Sequence, residues 1–184
     1  MEKQPFKEIQ LEIERYVRDT FPRKAGKMAV DHIRENFRRE GYVDGGLHKW
    51  WDPVRKRKKK GKTAGQHKTL HSARNNLLNS IRYDTEAGKA IVHTDVEYAA
   101  IHNYGGEITH TITRKQRVKA METHIRKTGT GHRKKNSLWK GLALTPRTGY
   151  TIRMPQRQFI GPSRELTGSL SEMVGKDIGK LINK

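Results

Sequence analysis

The chain has 184 residues, enough for one domain with a core of its own. Hydrophobic residues make up 33% of it and charged residues 32%, so part of the chain is expected outside that core. Cysteine is absent, which excludes disulfides and thiolate metal sites, and a net charge of +20 points to an acidic or polyanionic partner.

No apolar run reaches the length of a membrane span, and the opening MEKQPFKEIQ is charged. The expectation is therefore synthesis in the cytosol, with no membrane partner. Phe6, Ile9, Ile13, Tyr16 and Val17 recur at helical spacing and predict a first amphipathic helix. Phe21-Pro22 is expected to close it, because proline disfavours helix at the residue before it. A second helix is predicted from about Lys24 to Glu40, with Ala25, Met28, Ala29, Ile33 and Phe37 facing inward and Gly41 as its stop.

In LHKWWDP, Leu47 to Pro53, one tryptophan is expected to anchor the loop on the core. The other reading is an exposed ring that meets a partner. Arg55 to Lys68 has no periodicity and reads as a flexible basic loop. Leu70, Leu77, Leu78 and Ile81 point a turn or short helix at the core. A strand over Ser80–Thr85, a loop at Glu86-Ala87-Gly88 and a strand over Lys89–Thr94 make a hairpin.

DVEYAAIHNYGGE, Asp95 to Glu107, then carries three rings, Tyr98, His102 and Tyr104, and the pair Gly105-Gly106. Tyr98 and His102 lie four apart, so a short helix places them on one face. The glycines let the chain leave that helix at positive φ. A strand is predicted over Ile108 to Thr113. Arg114 to Gly149 forms a second basic arm, in which Val118, Met121 and Ile125 mark one side of a short basic helix. Tyr150 to Met154 alternates as a strand that Pro155 ends. Ser163 is placed to cap a last helix carrying Leu166, Leu170, Met173, Val174, Ile178, Leu181 and Ile182.

The order predicts an α+β fold: a mostly antiparallel sheet packed by two N-terminal helices and a C-terminal helix, with two long basic loops. One domain is expected over 1–184, with insertions at about 54–69 and 114–149.

The charge is unevenly spread. Pro53 to Tyr83 holds ten basic residues and no acidic one. Ile108 to Arg164 holds fourteen basic residues and one acidic, Glu122. The candidate contacts to a partner or to DNA are therefore Arg55, Lys56, Arg57, Lys58, Lys59 and Lys60 in the first arm. In the second they are Arg114, Lys115, Arg117, Arg133, Lys134 and Lys135. Solvated loops are the plainer alternative.

YAAIHNYGGEI (Tyr98 to Ile108), a long polar insertion, MPQRQFIG (Met154 to Gly161) and an amphipathic C-terminal helix together resemble the phage virion morphogenesis, or tail-completion, proteins. The positions that carry the resemblance are Tyr98, Ala99, Ile101, His102 and Gly105, then Pro155, Arg157, Phe159, Ile160 and Gly161, with LNSI (Leu78 to Ile81) before them. The chain departs from the family at Asn103, where Gln is frequent, and at Ala73 to Leu77. The resemblance implies a structural protein of the tail end or neck, localised to the virion and assembled in the host cytoplasm. It implies homo-oligomeric rings, six-fold being the usual count. Expected partners are further copies, other tail or connector proteins, and DNA in the channel.

Two other functions are weighed against it. Basic arms equally suit a nucleic-acid-binding protein of ribosomal or packaging type. His93, His102, Asn103 and His110 invite a metal-nuclease reading. That chemistry needs a ββα unit with a ligand on the helix, which the glycine pair and following strand do not supply. No catalytic residue, metal or cofactor is therefore assigned. His102 is expected to brace the turn through a side-chain hydrogen bond. Arg157 is expected to pair with a carboxylate such as Glu97 or Glu107, tying the two turns together, or else to face a neighbouring subunit or DNA. Phe159 is expected to plug the core.

Overall fold

A computed structural model describes residues 5–58, 67–128 and 137–183. The elements in order are α1 (Pro5–Arg15), a π-helical turn (Tyr16–Thr20), α2 (Phe21–Arg39), β1 (Gly41–Val43), β2 (Leu47–Lys49) and α3 (Val54–Lys58). Then come α4 (Asn76–Asn79), β3 (Arg82–Glu86), β4 (Lys89–His93), α5 (Ala99–Tyr104) and β5 (Gly106–Thr111). The chain ends with α6 (Arg114–Thr128), α7 (Leu138–Leu144), β6 (Gly149–Met154) and α8 (Arg164–Ile182). This is the expected α+β fold with antiparallel pairing. The strands pair as three separate two-stranded sheets, β1–β2, β3–β4 and β5–β6, where one sheet was expected.

The chain packs as two compact units, one of residues 1–105 with 155–184 and one of residues 106–154. The core of the first unit joins Val30, Ile33 and Phe37 of α2 to Trp50, Leu77, Ile81, Ala99 and Phe159. Phe37 sits against Trp50 edge-on at 5.4 Å and against Phe159 at 5.2 Å. The tryptophan pair divides as expected. Trp50 is buried, whereas Trp51 is 61% exposed with the Arg57 guanidinium 5.3 Å from its ring.

Pro22 does not end the first helix. The π turn precedes it, and the proline falls in the first turn of α2, where a missing N–H costs nothing. Proline cannot bond the carbonyl four residues back, that of Arg18. That oxygen instead accepts from the Gly88 N–H at 3.2 Å, at the tip of the β3–β4 hairpin. In the same turn Tyr16 is buried, and its hydroxyl donates to Asp177 on α8 at 3.0 Å. Burial, then that carboxylate, pushes the phenol up to about 12.

The stop of α2 also differs from expectation. Glu40, not Gly41, takes the left-handed conformation, at φ 53°. Its carboxylate holds it there by accepting from Lys56 Nζ at 2.7 Å and from the Thr69 N–H at 2.8 Å. Gly41 is needed for a different reason. A Cβ there would lie 2.7 Å from the His48 carbonyl oxygen across the β1–β2 pair.

Gly26 lies mid-helix in α2, under the Tyr83 ring of β3. A Cβ at this position would come within 2.2 Å of that ring. Gly26→Ala should therefore destabilise the protein by about 1–3 kcal/mol, although alanine is the better helix former by about 1 kcal/mol. Urea unfolding measures the sign, and a stabilised variant would contradict the close packing.

Candidate functional site

Two turns meet on the first unit. One is α5 with Tyr98 before it and Gly105 after it. The other is Pro155 to Pro162, an extended segment with no ladder of its own. Such a segment keeps its shape only if side chains satisfy its backbone groups. Asn103 on α5 takes the largest share, three such bonds. It is 4% exposed. Its Oδ1 accepts from the N–H groups of Phe159 and Ile160, both at 2.9 Å, and its Nδ2 donates to the Ile160 carbonyl at 3.1 Å. Asn36 on α2, fully buried, donates to the Phe159 carbonyl at 3.2 Å and accepts from the Val43 N–H at 3.1 Å. Trp50 Nε1 donates to the Gln158 carbonyl at 2.7 Å, and the Tyr42 hydroxyl donates to the Pro162 carbonyl. The Arg157 N–H donates to the His102 carbonyl at 2.7 Å, joining the two turns through their main chains.

Phe159 plugs the core as expected, at 1% exposure. At Gly161 a Cβ would fall 2.1 Å from Gln158 Nε2, the movable end of a side chain, and 2.9 Å from the Tyr42 hydroxyl oxygen that is held on the Pro162 carbonyl, so a larger residue would displace both groups. Gly105 and Gly106 have the predicted positive φ, 72° and 137°. Tyr98 and His102 share a face, with ring centroids 5.8 Å apart at 87°. Tyr104 is 74% exposed and stands outside the packed turn. Pro155 directly follows β6.

One role differs from expectation. The His102 ring makes no hydrogen bond at its buried Nδ1; its backbone carbonyl holds the turn instead. Arg157 is 5% exposed, its Nε–H donates to the Trp51 carbonyl at 3.0 Å, and its charge acts on the Asp52 carboxylate. Glu107 is held by Arg153, across the β5–β6 pair, at 2.7 Å.

The His102 imidazole is pushed below its ordinary value of 6.5, first by burial and then by the Arg157 charge. Burial does the same to His32 on α2, against weaker opposing pulls from Glu165 and Glu35. Both rings are neutral when folded, so the unfolded chain takes up these protons more readily. Stability is then whole above about 6.5 and is lost as the pH falls below it, towards the depressed folded values. Melting should come at a lower temperature at about pH 5.5 than at about pH 7.5, and His102→Gln should flatten that difference. An unchanged slope in the variant would remove His102 from the account.

The second unit is built on β5–β6, paired from Gly106↔Met154 to Thr111↔Gly149, with α7 packed along α6. Its α6 turns Ala120 inward at 3% exposure, while Val118 and Ile125 are 51% and 46% exposed. The expected apolar side is therefore not the buried one. On β5 and β6, His110 stacks on Tyr150 at 5.3 Å. On β4, His93 lies 2.9 Å from Asp84. Among the described residues no group of three metal-ligating side chains converges, and no helix is long and apolar enough to cross a membrane.

With these turns in place, the profile of the phage virion morphogenesis family matches residues 6–178, nearly the whole chain. The chain belongs to the phage virion morphogenesis family. No curated protein and no solved structure matches it.

In this virion morphogenesis protein the basic positions have different fates. Arg55 to Lys58 lie in the short helix α3, not in a structureless loop. Lys56 is bound to Glu40 at 2.7 Å and Asp52 at 2.8 Å, so it is a structural cation of the first unit. Arg117 is likewise committed, to the Thr145 carbonyl and to the Arg147 carbonyl at 2.7 Å. Arg114 and Lys115 are exposed at the start of α6. Lys59, Lys60, Arg133, Lys134 and Lys135 lie outside the described residues. Reading charge alone missed Asn36 and Asn103. The signal for Asn36 was a polar residue on the apolar stripe of α2, between Ile33 and Phe37.

Proposed function

We propose that this protein is a structural component of the tail end or neck, completing the tail or joining it to the head, and that it acts as a homo-oligomeric ring. Six copies are the count we expect, with other tail or connector proteins and DNA in the channel as further neighbours. On this reading it is assembled in the host cytoplasm, resides in the virion, and performs no catalysis. One observation carries the ring: α8 has seven apolar residues at helical spacing, of which six are only half-buried and Ile182 is exposed. Ile182 is 55% exposed, and on α1 Phe6 and Leu11 are 86% and 54% exposed. Terminal helices with so much apolar surface in water are suited to covering by another chain.

The mass of the purified protein over a wide concentration range tests this. A closed multiple of the protomer is expected, and a monomer at every concentration would sink the reading. The second reading, a nucleic-acid-binding protein, is favoured by the +20 charge alone. It requires tight binding that falls steeply with salt, whereas the ring reading expects weak, sequence-independent binding. Gel shifts at two salt concentrations separate the two.

A further inference from the structure

The second unit contains a cleft of about 360 Å³, at the small end of ligand-sized clefts. Its walls are apolar: Ile112 and Ala120, both buried, with Leu142, Trp139 and Tyr150. Its rim is cationic. Lys119, Arg126 and Lys127 line it, among the described residues no carboxylate does, and Lys127 Nζ sits 5.2 Å from the centre of the Trp139 ring. Beyond the rim, Leu138 and Leu144 of α7 are 84% and 62% exposed.

We infer that this cleft receives an acidic peptide segment of another virion protein, with a large apolar side chain seated between Ala120 and Trp139 and carboxylates at Lys119 and Arg126. The inference rests on the assembly reading above and supplies the chemistry of one partner. Charge selects the occupant. A second copy brings a net +20 to a rim that calls for acid. Several of this chain's own exposed carboxylates already have cations: Glu86 has Lys89, Glu107 has Arg153 and Glu172 has Lys176. A nucleic-acid backbone would satisfy the rim but leave aliphatic walls at Ile112 and Leu142 without a match. An apolar anchor ringed by acid satisfies both parts at once.

The test is fluorescence anisotropy of the full chain against three labelled probes. These are a peptide of about twelve residues alternating Glu and Leu around one Phe, the same peptide with Lys for Glu, and a single-stranded DNA of similar length. The acidic peptide should bind and the lysine peptide should not. Binding should fall about tenfold in Lys119→Glu/Arg126→Glu, whose altered side chains are exposed and leave the fold intact, and in Trp139→Ala. It should stay within about twofold in Arg23→Glu/Lys27→Glu, an equal charge reversal at exposed positions of α2 outside the cleft.

Preference for DNA overturns the inference. So does no binding of the peptide, or equal losses in the rim and control variants. The mass of each variant is read in parallel. Rim variants that fall from ring to monomer would make a second copy the occupant and end the inference. A protein that is monomeric throughout yet binds the peptide would end the ring reading alone.

Discussion

Asn103→Ala should lower the unfolding free energy by about 3–5 kcal/mol, among the largest effects of any single polar substitution in the first unit. The side chain is 4% exposed and makes three hydrogen bonds, two to N–H groups and one to a carbonyl, all on Phe159 and Ile160. Alanine removes every partner at once, and water has little access to replace them. Each buried backbone group left unmade costs about 1–3 kcal/mol, less whatever the segment recovers by relaxing. In a chain of this length that corresponds to roughly 10 °C in melting temperature. Asn103→Asp is the informative companion. It keeps the acceptor for both N–H groups but loses the amide donor and sets a buried carboxyl against the Ile160 carbonyl, so it should recover part of the stability that alanine forfeits at acid pH, where the carboxyl is protonated and can donate, and less of it at pH 7. A loss under about 1 kcal/mol for Asn103→Ala in urea unfolding would show that the Pro155–Pro162 segment is held by something else.

The second large effect is expected at Phe159. Its ring is 1% exposed and packs 5.2 Å from Phe37 in the centre of the core. Phe159→Ala should cost about 3–5 kcal/mol through lost burial and the cavity left behind, and Phe159→Leu should cost less than half of that. Because Asn103 holds the Phe159 N–H, the two sites share one element and their losses should not add. The double variant is expected to lose measurably less than the sum of the singles. Additivity within about 0.3 kcal/mol would mean that ring and amide are held independently.

The legible parts of this fold are those where apolar spacing is regular. Phe6 to Val17, Ala25 to Phe37 and Leu166 to Ile182 appear as helices close to where they were expected. The β3–β4 hairpin was marked by β-branched residues either side of Ala87-Gly88. Tyr98 and His102 met as their spacing required. Other elements were hidden for identifiable reasons. The β1–β2 hairpin was announced only by Asp44-Gly45-Gly46, a turn signal flanked by strands too short to show alternation. Helix α6 was expected as a short basic helix, but its inward face was masked by its own charge. Arg117 lies half-buried beside Ala120, so that face carries almost no hydrophobic period.

At the paired turns Tyr98, His102 and Phe159 were named from the sequence and pack there, whereas Tyr104 stands outside. His102 holds the turn through its carbonyl and Arg157 reaches the Trp51 carbonyl, because bonds to main-chain atoms leave no mark on residue type. Asn103 was visible only as a departure from the family's usual glutamine. Its importance follows from burial, which a six-residue helix is too short to reveal by periodicity.

The register of β5 against β6 sets Gly106 opposite Met154, so the forty-nine residues from Gly106 to Met154 leave and rejoin the rest of the chain at neighbouring points. Topologically they are a cassette. A link of a few residues from Gly105 to Pro155 would close the remaining chain at little entropic expense. Changes in length or sequence within this stretch therefore leave Asn36, Asn103 and Phe159, which hold the first unit, untouched.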